Sequence, residues 1–116
     1  MMLRRPLLML SLLVAGCAKG PQADLSSISQ ARSLGAEWAL VNEQAAHHKL
    51  TATYVSTMRA SVREHLQTTL SSLTRPDSRY AEEIRALLSE PDDAAPEELR
   101  AHSNALKQIE DSLESA

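Results

Sequence analysis

The chain has 116 residues, 12 Lys and Arg against 15 Asp and Glu, a formal net charge of −3 and one cysteine. That length suits one small domain, and a single cysteine rules out an intrachain disulfide framework. From Glu90 onward the acidic residues outnumber Arg100 and Lys107, which argues against nucleic acid or anionic lipid headgroups as partners by simple electrostatics. Gly35 is the only glycine beyond Gly20, phenylalanine is absent, and no stretch alternates β-branched with polar residues between turn glycines. The pattern predicts an all-α chain.

The first elements are not part of that fold. Arg4 and Arg5 form a short positive region, Leu7 to Ala15 is apolar except for Ser11, and the small residues Ala15 and Gly16 stand directly before Cys17. This order is the layout of a secretory signal. About nine apolar residues fall well short of the roughly twenty that a spanning helix needs. The adjacent arginines also admit a twin-arginine export route, but Pro6 and the strongly apolar run after it favour the general secretory one.

Val14-Ala15-Gly16-Cys17 resembles the lipobox of bacterial lipoproteins: an aliphatic residue, two small ones, then cysteine. The resemblance implies that the Cys17 thiol receives a diacylglycerol and that the chain is cut between Gly16 and Cys17. Thiol chemistry suits the task, because a thiolate is a strong nucleophile for thioether formation. Two or more acyl chains hold a protein stably on a bilayer, at about 0.8 kcal/mol per buried methylene. Residue 18 is alanine and not aspartate, which by analogy with enteric sorting favours the periplasmic face of the outer membrane over the inner membrane. The expected organisation is a signal peptide over 1–16, a lipidated cysteine and flexible tether over 17–25, and a helical domain over 26–116. Losing Arg4 and Arg5 with the signal moves the net charge from −3 to −5.

Four helices follow. Ser27 and Gln30 have capping-box spacing, and Leu34, Trp38, Val41, Ala45 and His48 then recur on one apolar face. Thr51 is the expected N-cap of a second helix, whose buried stripe is Val55, Met58, Val62, Leu66, Thr69 and Leu73, with Tyr54 and Leu70 alongside and Arg59, Arg63 and Glu64 on other faces. "TRPDS" ends it, with Asp77 able to cap a third helix over 78–89 that buries Tyr80, Ile84, Leu87 and Leu88. After "EPDDAAPEE", Pro96 sits in the first turn of a last helix, where Leu99, His102, Leu106, Ile109 and Leu113 form a heptad seam. Short connections between four helices predict a small antiparallel bundle.

Nothing in this pattern points to catalysis. His47, His48, His65 and His102 include no pair at the i, i+4 spacing of a helical chelate, so neither a metal nor a cofactor is expected. The serines lack the strained turn that activates a nucleophile, and Glu82 with Glu83, like Glu97 with Glu98, splay to different faces of a helix. Trp38 reads first as the central core residue, and alternatively as an exposed interface anchor.

The expected role is a membrane-anchored, periplasm-facing adaptor with an unidentified protein partner. A sharper version is pilotin-like, by similarity of size, anchor and helix count, and it calls for an apolar groove between helices two and four. A periplasmic carrier of a small ligand or metal is the rival, with a cavity lined by Tyr54, Met58 and Trp38 or by convergent histidines. A peptidoglycan-linked spacer is disfavoured, because the prolines interrupt any long coiled coil.

Overall fold

Prolines and capping side chains cut the chain into four helices in the computed structural model, which describes residues 20–116. They are α1 (Leu25–Ala46), α2 (Ala52–Ser71), α3 (Arg79–Leu88) and α4 (Pro96–Glu114), and no strand occurs among the described residues. The expected signal peptide and its cleavage junction, Gly16–Cys17, lie outside the described residues.

The chain orders earlier than the pattern predicts. Pro21–Asp24, expected as tether, forms a 3₁₀ turn that runs straight into α1. Asp24 stands at the N-cap of α1 but makes no capping bond. Its carboxylate, 1% exposed, instead accepts the Thr74 amide at 2.9 Å, the Thr74 hydroxyl at 3.0 Å, the Arg75 amide at 3.3 Å and the Tyr80 hydroxyl at 2.5 Å. The Ser27–Gln30 capping box is not used, because the helix is already under way at Leu25.

His48 departs from the expected apolar stripe. Helix α1 ends at Ala46, and His48 adopts φ 56°, the left-handed conformation usually given to glycine. The His48 amide donates to the Ala45 carbonyl at 3.0 Å, and the Lys49 amide reaches back to the Gln44 carbonyl at 3.0 Å. This pair of bonds is the Schellman stop, with histidine in the glycine position. His48 is therefore exposed.

Local rules hold better in the later elements. Thr51 caps α2 by accepting the Tyr54 amide at 3.1 Å, as its sequence position predicts. Ser78, and not Asp77, caps α3 by accepting the Ala81 amide at 3.1 Å. Pro96 opens α4, where its missing N–H costs nothing, and Glu97 and Glu98 follow at the positive end of the helix dipole.

The bundle is antiparallel, as predicted. Along α1 and α4, Arg32 pairs with Glu110 and Glu43 with Arg100, so the two helices run in opposite directions. Helix α1 packs against both α2 and α4, while α3 closes the space beside them. No Cα of α2 comes within 8 Å of one in α4. The core draws Ile28, Trp38 and Ala39 from α1, Val62 and Leu66 from α2, Tyr80, Ile84 and Leu87 from α3, and Leu99, Leu106 and Ile109 from α4. Met58 and Leu88 are only half-buried, and Tyr54 is 49% exposed, so it lies outside the stripe it was expected to flank.

Gly35 lets α1 meet its neighbours closely. A Cβ there would lie 3.2 Å from Leu87 Cδ2 and 3.5 Å from Ser103 Cβ. The Ser103 hydroxyl donates to the Arg32 carbonyl at 2.6 Å, tying α4 to the backbone of α1 beside that crossing.

Candidate functional site

Trp38 organises the polar end of the bundle from inside the core. It is 0% exposed, which overturns the alternative reading of it as an exposed interface anchor. Burial obliges its indole N–H to find an acceptor, and it donates to the Asp92 carbonyl at 3.0 Å. One turn on, the Asn42 amide donates to the same carbonyl at 3.0 Å and to the Ala94 carbonyl at 2.8 Å. The connection between α3 and α4 is thereby fixed to α1.

Helix α2 holds the same connection from its other side. Arg63 lies over the Trp38 ring, 4.7 Å from its centroid. Its guanidinium donates to the Leu88 carbonyl at 2.8 Å, the Glu90 carbonyl at 2.5 Å and the Asp92 carboxylate at 2.7 Å. The planar fork suits that role, since it satisfies carbonyls left open at the end of α3 while covering an aromatic face. Arg59, one turn earlier, donates from Nε to the Asn42 side-chain oxygen at 2.9 Å.

These residues border a surface cleft of about 540 Å³, lined by Ala45, Leu50 and Val55 on its apolar side and by His48, Arg59, Arg63 and Asp92 on its polar side. A smaller recess of about 290 Å³ lies beyond Arg59, against Asn42, Asp93 and Pro96. The cleft sits at the C-terminal end of α1 and the N-terminal half of α2, away from any α2–α4 contact. The apolar groove expected between helices two and four is thus replaced by a half-polar cleft between α1, α2 and the loop before α4.

His102, expected on the apolar seam, is half-buried and clamped by two carboxylates: Nδ1 meets Glu83 at 2.5 Å and Nε2 meets Glu90 at 2.7 Å. With an acceptor on each ring nitrogen, the imidazole is held as the cation. Burial opposes that charge, but the bonds from Glu83 and Glu90 outweigh it and raise the His102 pKa above 6.5. This clamp joins α4 to α3 and to the residue that Arg63 grips. At the opposite end of the bundle, burial pushes the Asp24 carboxyl up, but bonds from Tyr80, Thr74 and Arg75 outweigh it and hold it below 3.8. Burial and the bond to Asp24 push the Tyr80 phenol up to about 12.

The other histidines do not join this site. His47 and His65 are exposed, and His65 Nδ1 lies 3.4 Å from the Ser61 hydroxyl. Among the described residues, no three His, Cys, Asp or Glu side chains are arranged to hold a metal ion. Tyr54, Met58 and Trp38 line no common cavity among the described clefts. None of the described helices is long and apolar enough to cross a membrane.

No known family, no curated protein and no solved structure matches this chain.

Sequence reasoning missed Arg59 and Arg63, which were assigned to faces away from the stripe. The available signal was their i, i+4 spacing, which puts two guanidiniums on one line beside Val55 and Val62. The acceptor of Arg59 is Asn42 on α1, and those of Arg63 lie 25 to 29 residues away, at the end of α3 and in a connection that reads only as punctuation.

Proposed function

We propose that this chain is a lipid-anchored, non-enzymatic adaptor of the bacterial cell envelope. Cys17 is its acylation site, and its helical domain holds a protein partner close to the membrane. The periplasmic face of the outer membrane is the proposed location, on the strength of Ala18 after the cysteine.

The observation that carries the reading is the short interval between the lipobox-like motif and the first described turn, Pro21–Asp24. Gly20 is already part of the fold, three residues after Cys17. At roughly 3.3–3.6 Å per residue, that interval spans at most about 11 Å. A domain held so close to an anchor has its reach confined to the membrane surface and to what is embedded there. The non-enzymatic reading is supported by the use of Arg63 and its Asp92 partner in holding the loop.

A cross-linking pull-down from native membranes tests this, with a Cys17→Ser control and metabolic labelling by palmitate. The expected result is labelled wild type, unlabelled control, and a partner recovered with the wild type alone. An unlabelled wild type sinks the anchor. Equal recovery by both forms, or no recovered protein, sinks membrane-dependent docking.

A further inference from the structure

Arg59 is only partly used by the fold. A guanidinium has five N–H donors, and in Arg59 only Nε has an acceptor among the described residues, the Asn42 side-chain oxygen. That bond orients the group, and Arg59 lines both the cleft and the smaller recess. Arg63 beside it has an acceptor on each of its three nitrogens, two carbonyls and the Asp92 carboxylate. Asp92 in the cleft is thus already paired with Arg63, and Arg59 is the cation of the cleft without a carboxylate partner among the described residues, with Asp93 lining the smaller recess.

Two further features fit an anion with an apolar neighbour. Val55 is one helical turn before Arg59, so their Cβ atoms lie about 5–6 Å apart. Leu50, Ala45 and Ala52 extend the apolar wall around Val55. His48, which also lines this cleft, occupies a left-handed position that glycine fills at lower cost. A locally unfavourable residue beside an under-used arginine is the kind of conflict that concentrates at binding sites.

We infer that this cleft receives the C-terminal residue of a partner chain, its carboxylate on Arg59 and its aliphatic side chain against Leu50 and Val55. A terminal residue carries both groups on one Cα, so one residue covers the single turn between Val55 and Arg59. Capture of a chain terminus is an established mode of peptide recognition. The inference rests on the adaptor reading, for which it names the docking chemistry.

The test uses the full chain in detergent micelles, titrated by two-dimensional NMR with N-acetyl-leucine, N-acetyl-leucinamide and N-acetyl-glutamyl-leucinamide. N-acetyl-leucine is expected to give saturable shifts at Ala45, Ala52, Val55 and the Arg59 Nε–H, and the two amides none. Arg59→Gln should weaken binding about tenfold or more. Because Arg59 also holds Asn42, Ser56→Glu serves as a second variant: Ser56 is exposed and lines the cleft, so it adds repulsion at no cost to the core. Absence of saturable shifts, equal shifts with leucinamide, or indifference to both variants overturns the inference. Binding of the glutamyl amide overturns the terminal-carboxylate assignment in favour of an internal acidic residue. A partner cross-linked only to the lipidated form, with no N-acetyl-leucine bound, overturns the cleft assignment and leaves the adaptor reading standing.

Discussion

His102 shows how one side chain converts pH into cohesion between helices. As a cation it bridges Glu83 of α3 and Glu90 of the following loop, and as a neutral ring it donates to only one of them. Its pKa is raised in the fold above 6.5. Its stabilising effect is therefore complete below about pH 6.5 and is lost as pH rises through the raised value. The melting temperature should fall as pH rises above about 6.5 in the wild type, and this slope should flatten in His102→Gln. At pH 6 the variant is expected to lose on the order of 1 kcal/mol, since the group is partly exposed and screened. A parallel pH profile for both forms, measured by thermal unfolding, would show that the clamp does not titrate in this range. Little of the clamp was legible in the sequence. The heptad seam placed His102 correctly on the inner face of α4, but its carboxylates come from 12 and 19 residues earlier, across a helix boundary.

Each helix owes its limits to a few residues, and these were read with uneven success. Thr51 and Pro96 were legible because an N-cap hydroxyl and a first-turn proline act locally. Asp24 and His48 were not, because each breaks the local rule for a tertiary reason. Asp24 gives up the cap of its own helix to accept four bonds from another part of the chain. His48 takes the left-handed turn that closes α1, where the sequence pattern continues the apolar face. Replacing His48 by glycine should relieve left-handed strain and raise stability by about 1 kcal/mol. Chemical denaturation reads this directly, and an unchanged or lower midpoint would mean that the histidine side chain compensates for its backbone. Gly35 is the opposite case: a lone glycine inside a helix costs about 1 kcal/mol and marks close packing or a bend, and close packing is what is found, against Leu87 and Ser103, which the sequence does not name.

At the scale of the molecule, the four-helix antiparallel architecture followed from periodicity and punctuation, because short links leave few ways to bury four apolar faces. The site did not follow in the same way. Its frame of Trp38, Asn42, Arg59, Arg63 and Asp92 is assembled from three segments, and only the apolar placement of Trp38 was visible beforehand. The two ends of α1 also take on different duties. Its 22 residues span roughly 33 Å at 1.5 Å per residue. The cleft therefore stands at the far end of a rigid rod from Gly20.

That separation turns the Asp24 junction into a mechanical fixture. Under the proposed anchoring, any tension between the membrane and a bound partner enters the fold at Gly20 and leaves it at the cleft. A helix attached only at its first turn would unravel residue by residue under such a load. Here the first buried side chain is bonded to Thr74, Arg75 and Tyr80, so the load is shared at once with the α2–α3 link. Single-molecule pulling between residue 20 and the C-terminus of α1 should show an initial force peak in the wild type that is reduced in Asp24→Asn. Equal peaks would assign the resistance to core packing alone. The four bonds to one carboxylate thus act as a strain relief, placed where a cable would enter its housing.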